Sequence, residues 1–367
     1  MRTLASGAVH TAFGREFDVP DGYLNTASIG VPPTCAADAV AAAVESWRRG
    51  TARAPDFDPA VTAGRAAFAE LVGVPAERIA IGASVSALIG LVAAALPAGA
   101  RVLVAEGEFT SVSFPFAAQT ARGVSVVECP LEIIGTRAPE FDLVAVSVVQ
   151  SADGRTVDLD ALRAARAAGT RVVLDATQSL GWLPADLGWA DAVVCAGYKW
   201  LLCPRGVAWL ALGPDLAGPD GEDPQQDASG RALDEFRVLP HHACWYAGGD
   251  VWGSMYGLPL RLADSARRFD ASPAWFSHVG AGAVLPWLAG LNRGAVRDHC
   301  VGLADAVRAG LGLPAAESAI VAVDRPGAAD RLTAAGVAGS LRAGAVRLSF
   351  HLYNTADDVD RVLDALS

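Results

Sequence analysis

Seven short apolar runs, spaced by helical segments, restrict this chain to very few architectures. They are IAIG (79–82), RVLVAE (101–106), VSVVEC (124–129), LVAVSVV (143–149), RVVLDA (171–176), AVVCAG (192–197) and GVAWLAL (206–212). Val, Ile and Leu follow one another in them with little polar alternation, the pattern of strands buried on both faces. Helical stretches at 85–95, 111–122 and 158–168 fall between them. Strand and helix in alternation predict an α/β protein with a mostly parallel central sheet sandwiched by helices. Ahead of this region, 34–49 and 58–72 read as helices, with Thr34 a candidate N-cap and Asp-Pro opening the second.

From 213 to 250 the composition turns to Gly, Pro, Asp and Gln, as in a surface excursion. A long helix is expected from Pro259 through SARRFD, then helices at 278–291 and 295–311. Strands AIVAV (319–323) and AVRLSF (345–350) follow, with a last helix from Asp357. This predicts an N-terminal arm (1–20), a large domain (21–265) and a small α+β C-terminal domain (266–367) that completes the site. A net charge of −11 disfavours nucleic acid or an anionic membrane as partner. The longest apolar run, Val85 to Pro97, is too short to span a bilayer. The first residues lack the pattern of a secretory signal. Six cysteines are scattered without metal-ligand spacing. A cytoplasmic protein with free thiols and no metal site is expected.

Lys and Arg together number 29, and Lys199 is the single lysine. Arginine stays charged, whereas a partly buried lysine can lose its proton and become a nucleophilic amine. Taken alone, Lys199 could still be an ordinary surface charge, so its neighbours decide. Ligands of open α/β sheets bind at the carboxyl ends of the strands. Ser86 lies there at the start of a helix, where free N–H groups and the helix dipole favour phosphate. Asp175 ends RVVLD, Gln178 follows it, and Lys199 comes after AVVCAG with Tyr198 beside it. Singly, Ser86 is an ordinary cap and Asp175 a turn residue. An amine, a carboxylate and a phosphate site together match pyridoxal 5'-phosphate: the lysine forms a Schiff base with its aldehyde, and the carboxylate keeps the pyridine nitrogen protonated.

From YLNTASIG (23–30) to AVRLSFHLYNT (345–355) the chain resembles fold-type I pyridoxal phosphate enzymes of the class V aminotransferase and cysteine desulfurase superfamily. It is nearer the kynureninase and isopenicillin N epimerase-like branch than true desulfurases. DATQSLG (175–181) is similar to the family element that implies Asp175 on the pyridine nitrogen and Gln178 on the ring hydroxyl. AGYKWLLCPRG (196–206) resembles the Schiff-base segment, which implies a phosphate contact from Tyr198. GASVSALIG (82–90) resembles the phosphate loop, implicating Val85 and Ser86. EGEFTSVSFPF (106–116) implies that Phe109 stacks on the cofactor ring, though alone it would read as core. The resemblance places Arg347 on the substrate α-carboxylate, with Asn25 and Gln150 as further substrate contacts. ARRFDASPAWF (266–276) implies that Ser272 reaches the neighbouring subunit's phosphate site in a homodimer with shared active sites.

Departures from the family narrow the activity. The loop GVAGSLRAGAVR (336–347) holds no cysteine, so a persulfide-forming desulfurase is not expected. Val148 stands where many relatives place Asn, leaving Gln150 or Ser151 to substitute. Trp245, Tyr246, Trp252 and Trp275 could line an aromatic pocket or simply fill cores. The resemblance implies a small-molecule amino-acid substrate that loses its Cα proton to Lys199. Aminotransferase-type chemistry is the first expectation. A C–S β-lyase of the ergothioneine-pathway type is the alternative, then an epimerase or a kynureninase-like hydrolase. A dinucleotide oxidoreductase would need a GxGxxG turn after the first strand, which GASVSALIG does not supply.

Overall fold

The computed structural model describes residues 9–217 and 236–367, so residues 1–8 of the expected arm and 218–235 of the expected surface excursion lie outside it. Where an arm is expected, a hairpin pairs β1 (Val9–Ala12) with β2 (Arg15–Asp18). Its two-residue turn, Phe13-Gly14, has positive φ at both positions (48° and 76°), the twist that suits a tight hairpin.

The seven apolar runs form one sheet. The strands β3 (Ile79–Gly82), β4 (Arg101–Ala105), β5 (Ser125–Cys129), β6 (Leu143–Ser147), β7 (Arg171–Asp175), β8 (Ala192–Ala196) and β9 (Ala208–Leu212) lie in the order β3-β9-β8-β7-β6-β4-β5. Only β9 runs against its neighbours. Pleating sends alternate residues to opposite faces. Val172 and Leu174 of β7 join one apolar cluster, while Val173 joins another. Two covered faces explain why these strands lack polar alternation.

Helices α1 (Thr34–Arg48), α2 (Asp58–Val72), α3 (Val85–Ala94), α4 (Thr110–Ala117) and α5 (Leu159–Ala167) fall close to expectation. Thr34 is not the cap of α1; Pro33 precedes the helix and no side chain caps it. The long helix expected from Pro259 does not form. Ser265 caps only a single 3-10 turn, Ala266–Phe269. The chain then extends, so that buried Asp270 pairs with Arg65 at 2.6 Å and accepts the Ile81 N–H. That tertiary demand outweighs helix propensity.

Helix α6 (Trp275–Ala289) packs on α1 and α2. After α7 (Arg293–Gly310) come β10 (Ile320–Val323), α8 (Ala328–Ala334), β11 (Ser340–Arg342), β12 (Ala345–Ser349) and α9 (Ala356–Leu366). These strands form an antiparallel sheet, β10-β12-β11, with its own apolar cluster. Residues 23–30 tie the two sheets together. Tyr23 and Asn25 bridge to Ala338 and Ser349, and the Gly30 N–H donates to the Tyr198 carbonyl at 2.9 Å. Among the described residues, no helix is long and apolar enough to cross a membrane. All six cysteines are free.

Candidate active site

Strands β3, β6, β7 and β8 run in one direction and end on one edge of the sheet, around a cleft of about 190 Å³. Beyond β8 the chain turns sharply at Lys199. The Leu202 N–H returns to the Lys199 carbonyl at 3.1 Å, and Leu202 itself is left-handed, with φ of 55°. Gly30 lies against this turn so closely that a Cβ there would stand 2.1 Å from the Lys199 carbonyl oxygen. Only glycine fits.

Lys199 lines the cleft and is 6% exposed. Desolvation lowers its pKa to about 8, against the opposing pull of Asp175. Asp175, at the end of β7, is also buried in the cleft wall. Desolvation raises its pKa to about 6, partly offset by hydrogen bonds from Thr177 and the charge of Lys199. The Thr177 N–H donates to Asp175 Oδ1 at 2.8 Å, which aims the carboxylate.

Helix α3 points its N-terminus into the same cleft. Ser84, not Ser86, is the cap: its Oγ accepts from the Ala87 N–H at 3.3 Å. Val85 and Ser86 occupy the first helical turn, where backbone N–H groups have no partner within the helix. Phe109 caps α4 and is 42% exposed, with Lys199 Nζ 5.2 Å from its ring centre. Tyr198 also lines the cleft, its ring 4.8 Å beneath the Arg205 guanidinium.

Other expected residues lie further back. Gln178 is in the wall, but its amide already donates to the Ala27 carbonyl and Ser151 Oγ and accepts from Trp200 Nε1. Gln150 turns away, donating to Glu108 Oε2 at 3.1 Å, and it is Ser151 that faces the cleft. Arg347 is 2% exposed and stands behind Ser151, donating to its carbonyl and hydroxyl and to Ser28 Oγ. Its Nε has no acceptor. Desolvation lowers its pKa to about 10. Asn25 is half-buried with Oδ1 unpartnered, and Ser272 is exposed; neither forms part of the cleft wall. The suggested aromatic pocket does not line this cleft. Trp245 packs on Trp252, Trp252 and Tyr246 bond Asp58, and Trp275 stacks on Phe57.

One functional group escaped the sequence altogether. Glu108 is buried, with no cation paired to it among the described residues. It accepts from the Phe109 N–H, from the N–H and hydroxyl of Ser147, and from Gln150 Nε2. It ties the start of α4 to the end of β6. Ser147 and Ser151 also face the cleft, and the one sequence signal for them is a polar residue at or just past the end of an apolar strand.

The sequence profile of aminotransferase class V matches residues 39–220. An uncharacterized aminotransferase of Bacillus subtilis (strain 168), YcbU, is 30% identical over 324 residues, 82% of this chain and 81% of the relative. The chain belongs to the class V aminotransferase family. Isopenicillin N epimerase of Streptomyces clavuligerus is similar at 28% identity over 82% of each chain. Among solved structures, the cystine C–S lyase C-DES, with glycine covalently linked to its PLP cofactor, superimposes with a TM-score of 0.79. It covers 94% of this chain and 96% of that one at 20% identity, a likeness of fold. The protein is a pyridoxal phosphate enzyme, and its cleft fits that cofactor. It offers a largely desolvated amine, a buried carboxylate, an open helix N-terminus and the face of Phe109.

Proposed function

We propose that the chain is an amino-acid aminotransferase in which Lys199 both holds the cofactor and moves the substrate's Cα proton. The observation that carries this reading is the buried Lys199 amine, held near pKa 8 in one cleft with Asp175. A pKa of about 8 leaves roughly a tenth of the amine neutral at pH 7, against about one part in three thousand for an unperturbed lysine. The neutral form is what can attack an aldehyde or take a proton.

Bound pyridoxal phosphate supplies an electron sink that acidifies the Cα–H bond. The other roles belong to the protein. The N–H groups of Val85 and Ser86, with the Ser84 and Ser86 hydroxyls, would hold the phosphate at the start of α3. Tyr198, in the same cleft wall, would add a contact to that phosphate. Asp175, aimed by the Thr177 N–H, would serve the pyridine nitrogen, its carboxylate keeping a proton there. Phe109, exposed in the cleft, would cover one face of the ring. Gln178 orients Ser151 and Trp200, and one of its amide hydrogens would have to leave its present acceptor to reach a ring hydroxyl.

Arg347 receives the α-carboxylate, and Asn25, which bridges to Ser349 on the same strand with its Oδ1 unpartnered, is a further substrate contact. A buried guanidinium with a vacant Nε donor favours such an anion. Ser272, exposed and outside this cleft, is suited to complete a partner subunit's phosphate site in a homodimer. The relationship to the B. subtilis aminotransferase supports transamination over the other outcomes of Cα deprotonation. Incubating the holoprotein with single amino acids tests it. Pyridoxamine phosphate and an α-keto acid should accumulate in equal amounts. Pyruvate and a released thiol without pyridoxamine phosphate would refute it in favour of β-elimination.

A further inference from the structure

A second arginine shares the site of Arg347. Arg342 ends β11, five positions before Arg347 on β12, and the two strands pair antiparallel. Both guanidiniums reach one hydroxyl: Arg342 Nη2 lies 3.5 Å from Ser28 Oγ and Arg347 Nη2 lies 2.7 Å from it. A serine hydroxyl neutralises neither charge. Among the described residues, no carboxylate stands within ion-pair distance of either arginine. The nearby acids are committed elsewhere, Glu108 to Ser147 and Asp175 to Thr177.

The repulsion between them is felt locally. After desolvation, the charge of Arg342 is the further cause that lowers Arg347, and it also acts on Lys199. Their other acceptors, the Leu341 carbonyl for Arg342 and the Ser151 carbonyl and hydroxyl for Arg347, are neutral too, and two like charges held together by neutral groups favour an anion that spans both. A single α-carboxylate on Arg347 answers only one of them. Arg342 is exposed, whereas Arg347 is buried. A ligand held by its α-carboxylate at the deep arginine would therefore present its side chain toward the shallow one.

We propose that Arg342 is a specificity residue that binds a second acidic group on the substrate side chain, so the substrate is an amino acid of the aspartate or glutamate class. This rests on the reading that Arg347 holds the α-carboxylate.

Unreactive acids separate the two claims. Binding of succinate, glutarate and butyrate to the holoprotein is measured by calorimetry and by perturbation of the cofactor absorption band. The dicarboxylates should bind about tenfold tighter than butyrate, more than an exposed ion pair gives because the ligand is held at both ends. Arg342→Gln should bring that ratio close to one and leave butyrate affinity where it was, and Arg342→Lys should restore part of it. L-Glutamate against L-glutamine should follow the same pattern in half-saturation. Equal binding of dicarboxylate and butyrate by the wild type would overturn the inference and leave Arg347's role standing. So would equal loss of both ligands in Arg342→Gln. Butyrate binding that is indifferent to Arg347→Ala would overturn the reading beneath it as well.

Discussion

Replacing Glu108 with alanine should damage the site through its framework. The carboxylate serves four donors: the Phe109 N–H at 2.8 Å, the Ser147 N–H at 2.9 Å, the Ser147 hydroxyl at 2.6 Å and Gln150 Nε2 at 3.1 Å. The Ser147 hydroxyl can rotate to another acceptor, and the half-buried Phe109 N–H can meet water. The Ser147 N–H is buried and loses its acceptor outright, whereas Gln150 Nε2 keeps the Ser147 carbonyl at 3.3 Å. At roughly 1–3 kcal/mol for an unsatisfied buried donor, with one such donor left and the other contacts weakened, the loss comes to about 1–3 kcal/mol once relief of the carboxylate's desolvation is set against it. Glu108→Gln keeps one acceptor oxygen and should cost about half as much. Thermal unfolding of the cofactor-free protein would show this as a fall of about 2–4 °C per kcal/mol for a chain of this size or somewhat less. Cofactor affinity should fall with it, because Phe109 loses its backbone anchor. A Glu108→Ala protein that melts with the wild type would refute the reasoning.

Gly30→Ala should displace the Lys199 turn, since its Cβ would sit 2.1 Å from a backbone oxygen and 2.7 Å from Leu202. Strain of about 1–3 kcal/mol and slower cofactor capture are expected, and an unchanged melting temperature with normal capture would contradict the contact. Capture of pyridoxal phosphate should rise with pH about a midpoint near 8, because the folded-state amine loses its proton there and not near 10.5. Asp175→Asn removes the charge that holds the Lys199 proton on, so the midpoint should move down; an upward move would mean that the pair is wrongly assigned. Stability follows the same linkage. The unfolded chain binds the Lys199 proton more tightly, so the cofactor-free protein should gain stability as pH rises from about 8 toward 10.5. A flat profile in a melting series would contradict it. For Asp175 the folded state holds the proton more tightly, so its contribution is lost as pH rises through about 6.

Much of this fold is readable because burial on two faces leaves strong marks. RVVLD and AVVCA can hardly be anything but central strands, and their ends locate Asp175 and Lys199. Lys199 is legible for a chemical reason, since it is the one lysine among arginines, which keep their protons. What failed depends on partners distant in sequence. VHTA and REFD are too short and polar to declare a hairpin, and the segment before Asp270 is extended because Arg65 and Ile81 demand it. Glu108 looks like a solvated acid until Ser147, 39 residues later, is brought beside it. Gln150 and Ser151 are neighbours of similar polarity, and which one faces the cleft is decided by that same carboxylate.

The central claim, that Lys199 binds pyridoxal phosphate covalently, has a direct measurement because the chain has no other lysine. The purified holoprotein is reduced with borohydride, digested and analysed by mass spectrometry. A phosphopyridoxyl adduct should appear on Lys199, and Lys199→Arg should lose both the adduct and the visible absorption band while remaining folded. A wild type that is folded and soaked in pyridoxal phosphate yet carries no adduct at Lys199 would contradict the account.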